Sequence, residues 1–133
     1  MERQVGAYVI SDDKARLDLD RIGQLLSTSY WAKQRAADVI AQSIANSVCY
    51  GIYEGERQVG FARVVTDYAT VFYLCDVIID EAHRGNGLGK QLMACIIEQY
   101  GGLHGLLGTL DAHGLYEQYG FRQNERLMNR RGS

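Results

Sequence analysis

The sequence contains no proline, and only one tryptophan and three cysteines among 133 residues. Without proline, chain reversal falls to glycine, of which there are 15, so the glycines mark where elements end. Cys49, Cys75 and Cys95 lie in apolar surroundings at unrelated spacings. An odd count without a pairing or ligand pattern points to free buried thiols in a reducing compartment. Neither sign of charge dominates: 14 basic against 16 acidic side chains leave −2, so nothing global points to nucleic acid. No apolar run reaches the roughly 20 residues of a membrane-spanning helix. Glu2 and Arg3 are not followed by the apolar core of a secretory signal. The expectation is a cytoplasmic protein with neither nucleic-acid nor membrane partner. His83, His104 and His113 share no ligand spacing, so no metal is expected.

What is present is ordinary globular composition, 47% hydrophobic and 23% charged, at a length suited to one domain spanning residues 1–133. Gln4 to Ile10 alternates loosely and reads as a first strand. Asp18 or Asp20 can cap a helix whose stripe is Leu19, Ile22, Leu25 and Leu26. After Ser27-Thr28-Ser29 and Tyr30-Trp31, a second helical pattern runs from about Gln34 to Asn46. Val48 to Tyr53 and Gln58 to Val65 form a hairpin about Glu54-Gly55-Glu56. Thr70 to Ile79 is the longest β-prone run, and Val77 to Ile79 is apolar enough for burial on both faces. A helix with a broad apolar face follows from Leu88 and ends at Gly101-Gly102. Leu103 to Leu110 reads as a strand. Asp111 can cap a short helix through Leu115, Tyr116 and Tyr119, and Phe121 to Met128 reads as a last strand. Three adjacent strands imply antiparallel pairing, and the helical crossover after Ile79 implies one parallel pair. The fold class is therefore α/β: a mixed, mostly antiparallel sheet with helices on both faces.

The chemistry centres on Arg84-Gly85-Asn86-Gly87-Leu88-Gly89-Lys90, between the long strand and the amphipathic helix. Closely spaced glycines free the backbone to turn its amides one way, and the helix start adds unpaired N–H groups and a positive dipole end. Such a strand, turn and helix suit a phosphate or pyrophosphate. A Walker A loop needs glycine where Arg84 stands, and a hydroxyl residue where Gln91 follows Lys90. A Rossmann fingerprint needs its third glycine one position later than this spacing gives. Neither pattern fits.

Arg84, Gly87 and Gly89 fill Arg-x-x-Gly-x-Gly, which resembles the acyl-CoA signature of the GNAT superfamily of N-acyltransferases. Leu115-Tyr116-Glu117-Gln118-Tyr119-Gly120-Phe121 resembles that family's Leu-Tyr-Glu-x-x-Gly-Phe segment, one helix and one strand downstream. Gly60-Phe61-Ala62-Arg63 is similar to its third strand. Tyr30-Trp31 and Asp111-Ala112-His113-Gly114 resemble small stand-alone bacterial members. Glu81 stands where the family often has proline, His83 replaces a frequent aromatic, and Thr109 sits where asparagine is common.

The resemblance implies acetyl-CoA as co-substrate, its pyrophosphate on the amides of residues 85 to 90, with Arg84 or Lys90 as counter-charge. It also implies that the backbone of Val77, Ile78 and Ile79 pairs with the pantetheine arm like an added strand. An amide there can polarise the thioester carbonyl. Tyr116 is the candidate general acid for the departing thiolate, or else an amphipathic core tyrosine. Asp76, alone among apolar neighbours, is the candidate base or ammonium anchor through a pKa raised by burial; the other reading is a salt-bridged aspartate. Tyr30 and Trp31 stand where the family shapes its acceptor pocket, or else pack in the core. The implied reaction is direct attack by a small-molecule or peptide primary amine in a ternary complex, since no Cys or Ser has an activating partner. A non-catalytic acyl-CoA-binding or regulatory module is the alternative, and an interaction domain without cofactor a third. A homodimer is left open.

Overall fold

Each end of the chain's central sheet is set by where a strand stops pairing. In the computed structural model, which describes residues 1–132, β1 (Glu2–Val5) and β2 (Tyr8–Ser11) form a hairpin. Helices α1 (Leu19–Ser27) and α2 (Ala37–Ala45) follow, then β3 (Val48–Glu54), β4 (Arg57–Thr66) and β5 (Val71–Ile79). Helix α3 (Leu88–Tyr100) crosses over to β6 (His104–Leu106), and the short α4 (His113–Glu117) comes last. The six strands lie in the order β1-β2-β3-β4-β5-β6, antiparallel except for the parallel β5–β6 pair. The mixed, mostly antiparallel sheet expected from the sequence is the one observed.

Its two faces carry separate cores. Leu88, Leu92, Met93, Cys95 and Ile96 of α3 pack on Tyr50, Val59, Val64, Phe72 and Leu74, with Tyr116 of α4. On the opposite face Ile22, Leu25 and Leu26 of α1 and Ile40 and Ile44 of α2 cover Cys49, Phe61 and Ile78. Asp18 caps α1 by accepting from the Arg21 amide at 3.1 Å, satisfying one of the donors a helix start leaves free.

Three sequence expectations are corrected. The single strand over residues 4–10 is instead a hairpin, because Gly6 takes a left-handed φ of 57° and the Gln4 side chain holds its carbonyl. The strand over residues 103–110 is cut to His104–Leu106, and α4 begins at His113 with no cap from Asp111; the Thr109 hydroxyl accepts from the Ala112 amide at 3.1 Å instead. No strand forms over residues 121–128. Phe121 packs against Phe72 and Tyr116, and Asn124 then turns the chain by accepting from Arg126 N at 2.9 Å.

Leu92 is fully buried between α3 and the sheet. Leu92→Ala should cost about 2–5 kcal/mol in urea unfolding, the range for a cavity in a close-packed core; a cost below about 1 kcal/mol would contradict this packing.

Candidate active site

Two backbone irregularities shape β5. Its pairing with β6 covers only Val71 to Tyr73, so from Leu74 onward the strand has lost its neighbour on that side. On its other side, Arg63 faces Cys75 while Phe61 faces Ile78, so Ala62 opposes both Asp76 and Val77. This is a β-bulge, and Asp76 sits in it at a φ of 52°, a conformation costly for a residue with a Cβ. The bulge resets the alternation of the strand. Phe72 and Leu74 point to the α3 side, and beyond the bulge Val77 and Ile79 do so again, while Ile78 enters the α1–α2 core. Both faces of residues 77–79 are covered, as their apolarity implied.

The gap where β5 and β6 part holds a cavity of about 360 Å³. Tyr30 and Trp31 from the α1–α2 connection, Asp76 and Val77 of β5, and Tyr116 of α4 all line it. Residues scattered across the sequence as candidates therefore meet in one place. Tyr116 is buried at 9% exposure, and among the described residues its hydroxyl has no hydrogen-bond partner. Burial, then the charge of Asp111, pushes its pKa up, so the phenol stays protonated through the neutral range.

Of the two readings of Asp76, the structure bears out the salt-bridged aspartate. Its Oδ1 accepts from Trp31 Nε1 at 2.9 Å, and its Oδ2 accepts from Arg35 at 2.7 Å and Arg63 Nε at 2.9 Å. Burial pushes the carboxyl up, but the hydrogen bonds and charges of Arg35 and Arg63 hold it below the usual range. The raised pKa on which a base role rested is corrected to a lowered one. Three of the about four acceptor sites of Asp76 are taken by Trp31, Arg35 and Arg63, so most of its charge is already engaged within the protein. Tyr30 and Trp31 meet edge to face at 5.1 Å and stay partly open to solvent, at 61% and 42% exposure, so they form the cavity mouth rather than core.

The glycine loop lies beyond the open end of β5. Gly85 and Gly87 adopt φ of 85° and 72°, and Gly87 ends the loop at the start of α3. Among the described residues no amide from Gly85 through Lys90 donates to a protein acceptor; the first to do so is Gln91, to Gly87 O at 3.1 Å. Leu88 anchors the turn in the core. Arg84 Nε donates to Ile79 O at 3.1 Å, Asn86 donates to His83 O at 3.0 Å, and Tyr8 Oη meets His83 Nδ1 at 3.0 Å. Tyr119 Oη donates to Lys90 O at 2.8 Å, tying the α4 region to the loop helix. A run of free amides and an open strand edge fit a phosphorylated, amide-bearing chain such as acetyl-CoA.

A family model described as acetyltransferase (GNAT) domain matches residues 45–123. The chain belongs to the GNAT family. A candidate acetyltransferase of that family from Xanthomonas campestris pv. campestris is 39% identical, with a TM-score of 0.88 over 94% of this chain and 93% of its own. A candidate acetyltransferase from Gibberella zeae is 32% identical over 113 residues, 70% of this chain and 64% of that protein. The chain thus spans less than two thirds of that curated relative's length. A Staphylococcus aureus protein, a probable acetyltransferase by its own description, shares the fold at 18% identity, with a TM-score of 0.78. In this GNAT chain, Arg35 and Arg63 are the site residues that sequence reasoning missed. Arg63 lies in the Gly60-Phe61-Ala62-Arg63 stretch of β4 and Arg35 in the irregular α1–α2 connection, and it is the fold that joins them at Asp76.

The lowered pKa of Asp76 makes a signed prediction. Its ionised form stabilises the fold above the unfolded value of about 3.9 and loses that effect as pH falls through the folded value. Asp76→Asn should be less stable by about 3 kcal/mol near neutrality, from uncompensated guanidiniums. In urea unfolding the gap should close as pH falls below about 4. A gap constant with pH would show that the carboxylate charge is not what matters.

Proposed function

We propose that this protein is an N-acetyltransferase that moves an acetyl group from acetyl-CoA to a primary amine by direct attack in a ternary complex. The observation that carries the reading is Tyr116, a buried residue whose hydroxyl has no hydrogen-bond partner among the described residues and which lines the cavity where β5 loses its neighbour. Acetyl-CoA supplies the activated acetyl thioester. The amides of Gly85, Asn86, Gly87, Leu88, Gly89 and Lys90 would take its pyrophosphate, and charge-assisted hydrogen bonds of about 1.5–3 kcal/mol each make several of them enough for micromolar affinity. Lys90, exposed on the first turn of α3, adds a nearby positive charge. The open edge of Val77, Ile78 and Ile79 would hold the pantetheine arm as an added strand.

The amine nitrogen bonds to the acetyl carbon as the carbon–sulfur bond breaks. Tyr116 meets the departing sulfur with its O–H. A thiol has a pKa of about 8.5 and tyrosine about 10, and burial raises Tyr116 further. Its role is therefore to hydrogen-bond the departing thiolate while keeping its own proton. Asp76 keeps Trp31, Arg35 and Arg63 in place rather than removing a proton. The ammonium proton leaves to water through the open cavity before attack, and the second proton, shed by the nitrogen as the amide forms, goes to water or to the departing sulfur.

Tyr116→Phe tests this directly. CoA release under steady state should fall about 10²- to 10³-fold in kcat, the usual contribution of one donor aimed at developing charge, while KM for acetyl-CoA changes little. Unchanged kcat would remove Tyr116 from the chemistry.

A further inference from the structure

The charged lining of the acceptor cavity is not evenly mixed. Arg35 and Arg63, at 23% and 15% side-chain exposure, stand together in it with Asp76 as their shared carboxylate partner. Two cations against one anion leave one positive charge uncompensated. Asp76 spends three of its about four acceptor sites on Trp31, Arg35 and Arg63. The guanidiniums, in contrast, have donors to spare. A guanidinium offers five N–H groups. Arg35 gives one nitrogen to Asp76, and Arg63 gives Nε to Asp76 and one terminal nitrogen to Ser47 Oγ at 3.2 Å. Among the described residues neither makes another hydrogen bond. Asp111, the other carboxylate of the lining, comes from the α4 side with Thr109 and Tyr116, and among the described residues it forms no ion pair with either guanidinium. Its charge is felt at the Tyr116 hydroxyl.

We infer that the acceptor is a small amino-carboxylic acid, with its amine toward Tyr116 and Asp111 and its carboxylate on Arg35 and Arg63; this rests on the acyltransferase reading above. A guanidinium fork matches a carboxylate with two parallel N–H···O bonds, which gives orientation as well as affinity. A plain alkylammonium or a polyamine would bring a second cation against the uncompensated charge. The cavity, at about 360 Å³, is at the small end for ligand sites, which suits an acceptor of this size. Asp76 acts as a positioning residue. It fixes both guanidiniums and offsets part of their charge, leaving one unit for substrate.

The test compares amino acids with their carboxamides and their decarboxylated amines, reading CoA release at sub-saturating acceptor. The wild-type protein should show kcat/KM at least about 10-fold higher for an acid than for its amide, a difference of about 1.4 kcal/mol. Arg35→Gln should bring that ratio close to one through a raised acceptor KM, and Arg35→Lys, which keeps the charge without the fork, should retain part of it. Amides or plain amines used as well as acids by the wild type would overturn the inference and leave the acyltransferase reading standing. If no amine turns over, the same comparison is made by thermal shift of the CoA complex with N-acetylated amino acids and their amides. Stabilisation by the acids alone, lost in Arg35→Gln, supports the inference; equal or absent stabilisation overturns it. Failure of acetyl-CoA itself to bind would overturn both readings.

Discussion

The parallel pairing of β5 with β6 ends after three residues, and the remainder of the site follows from that short pairing. Backbone N–H and C=O groups must be satisfied somewhere. A strand that loses its partner within the sheet leaves a row of them open to a ligand with amides of its own. The pairing ends because β6 gives way to Leu107 and Gly108, and Thr109 then turns the chain into α4. That turn seats Tyr116 against the core beside the gap. One event in the sheet therefore supplies an open edge, a cavity and a buried phenol together.

The bulge at Asp76 is the second constraint. Its left-handed residue is a local cost, set against three side-chain hydrogen bonds that join β4, β5 and the α1–α2 connection. Without the extra residue, Val77 and Ile79 would face the α1–α2 side and Ile78 the α3 side, exchanging the two cores. The bulge also turns Asp76 toward Arg35, Arg63 and Trp31. The same irregularity thus serves core packing and builds the charged wall of the cavity.

Much of this was legible in the residues themselves. The glycine spacing after Ile79, the amphipathic helix behind it and the Tyr116 segment gave the family resemblance, and the mixed sheet followed from element order. The failures have local causes. Gly6 carried too little signal to split a short strand, and Asn124 turns a segment whose alternation was already weak. The raised pKa expected for Asp76 failed because burial was judged without its partners. Arg35 lies between helices and Arg63 on another strand, and only the tertiary fold brings two guanidiniums onto one carboxylate. A bulge leaves no periodic trace, so the face on which Asp76 lies could not be read from alternation.

The central claim is that the glycine loop and the open edge of β5 together hold an acyl-CoA. Titrating the 15N-labelled protein with acetyl-CoA and following its backbone amides by NMR tests that most directly. The account predicts the largest shifts at Gly85, Asn86, Gly87, Leu88, Gly89 and Lys90 and along Val77 to Ile79. Shifts concentrated elsewhere, as among the residues after Phe121 beside β6, or none at all, would contradict it.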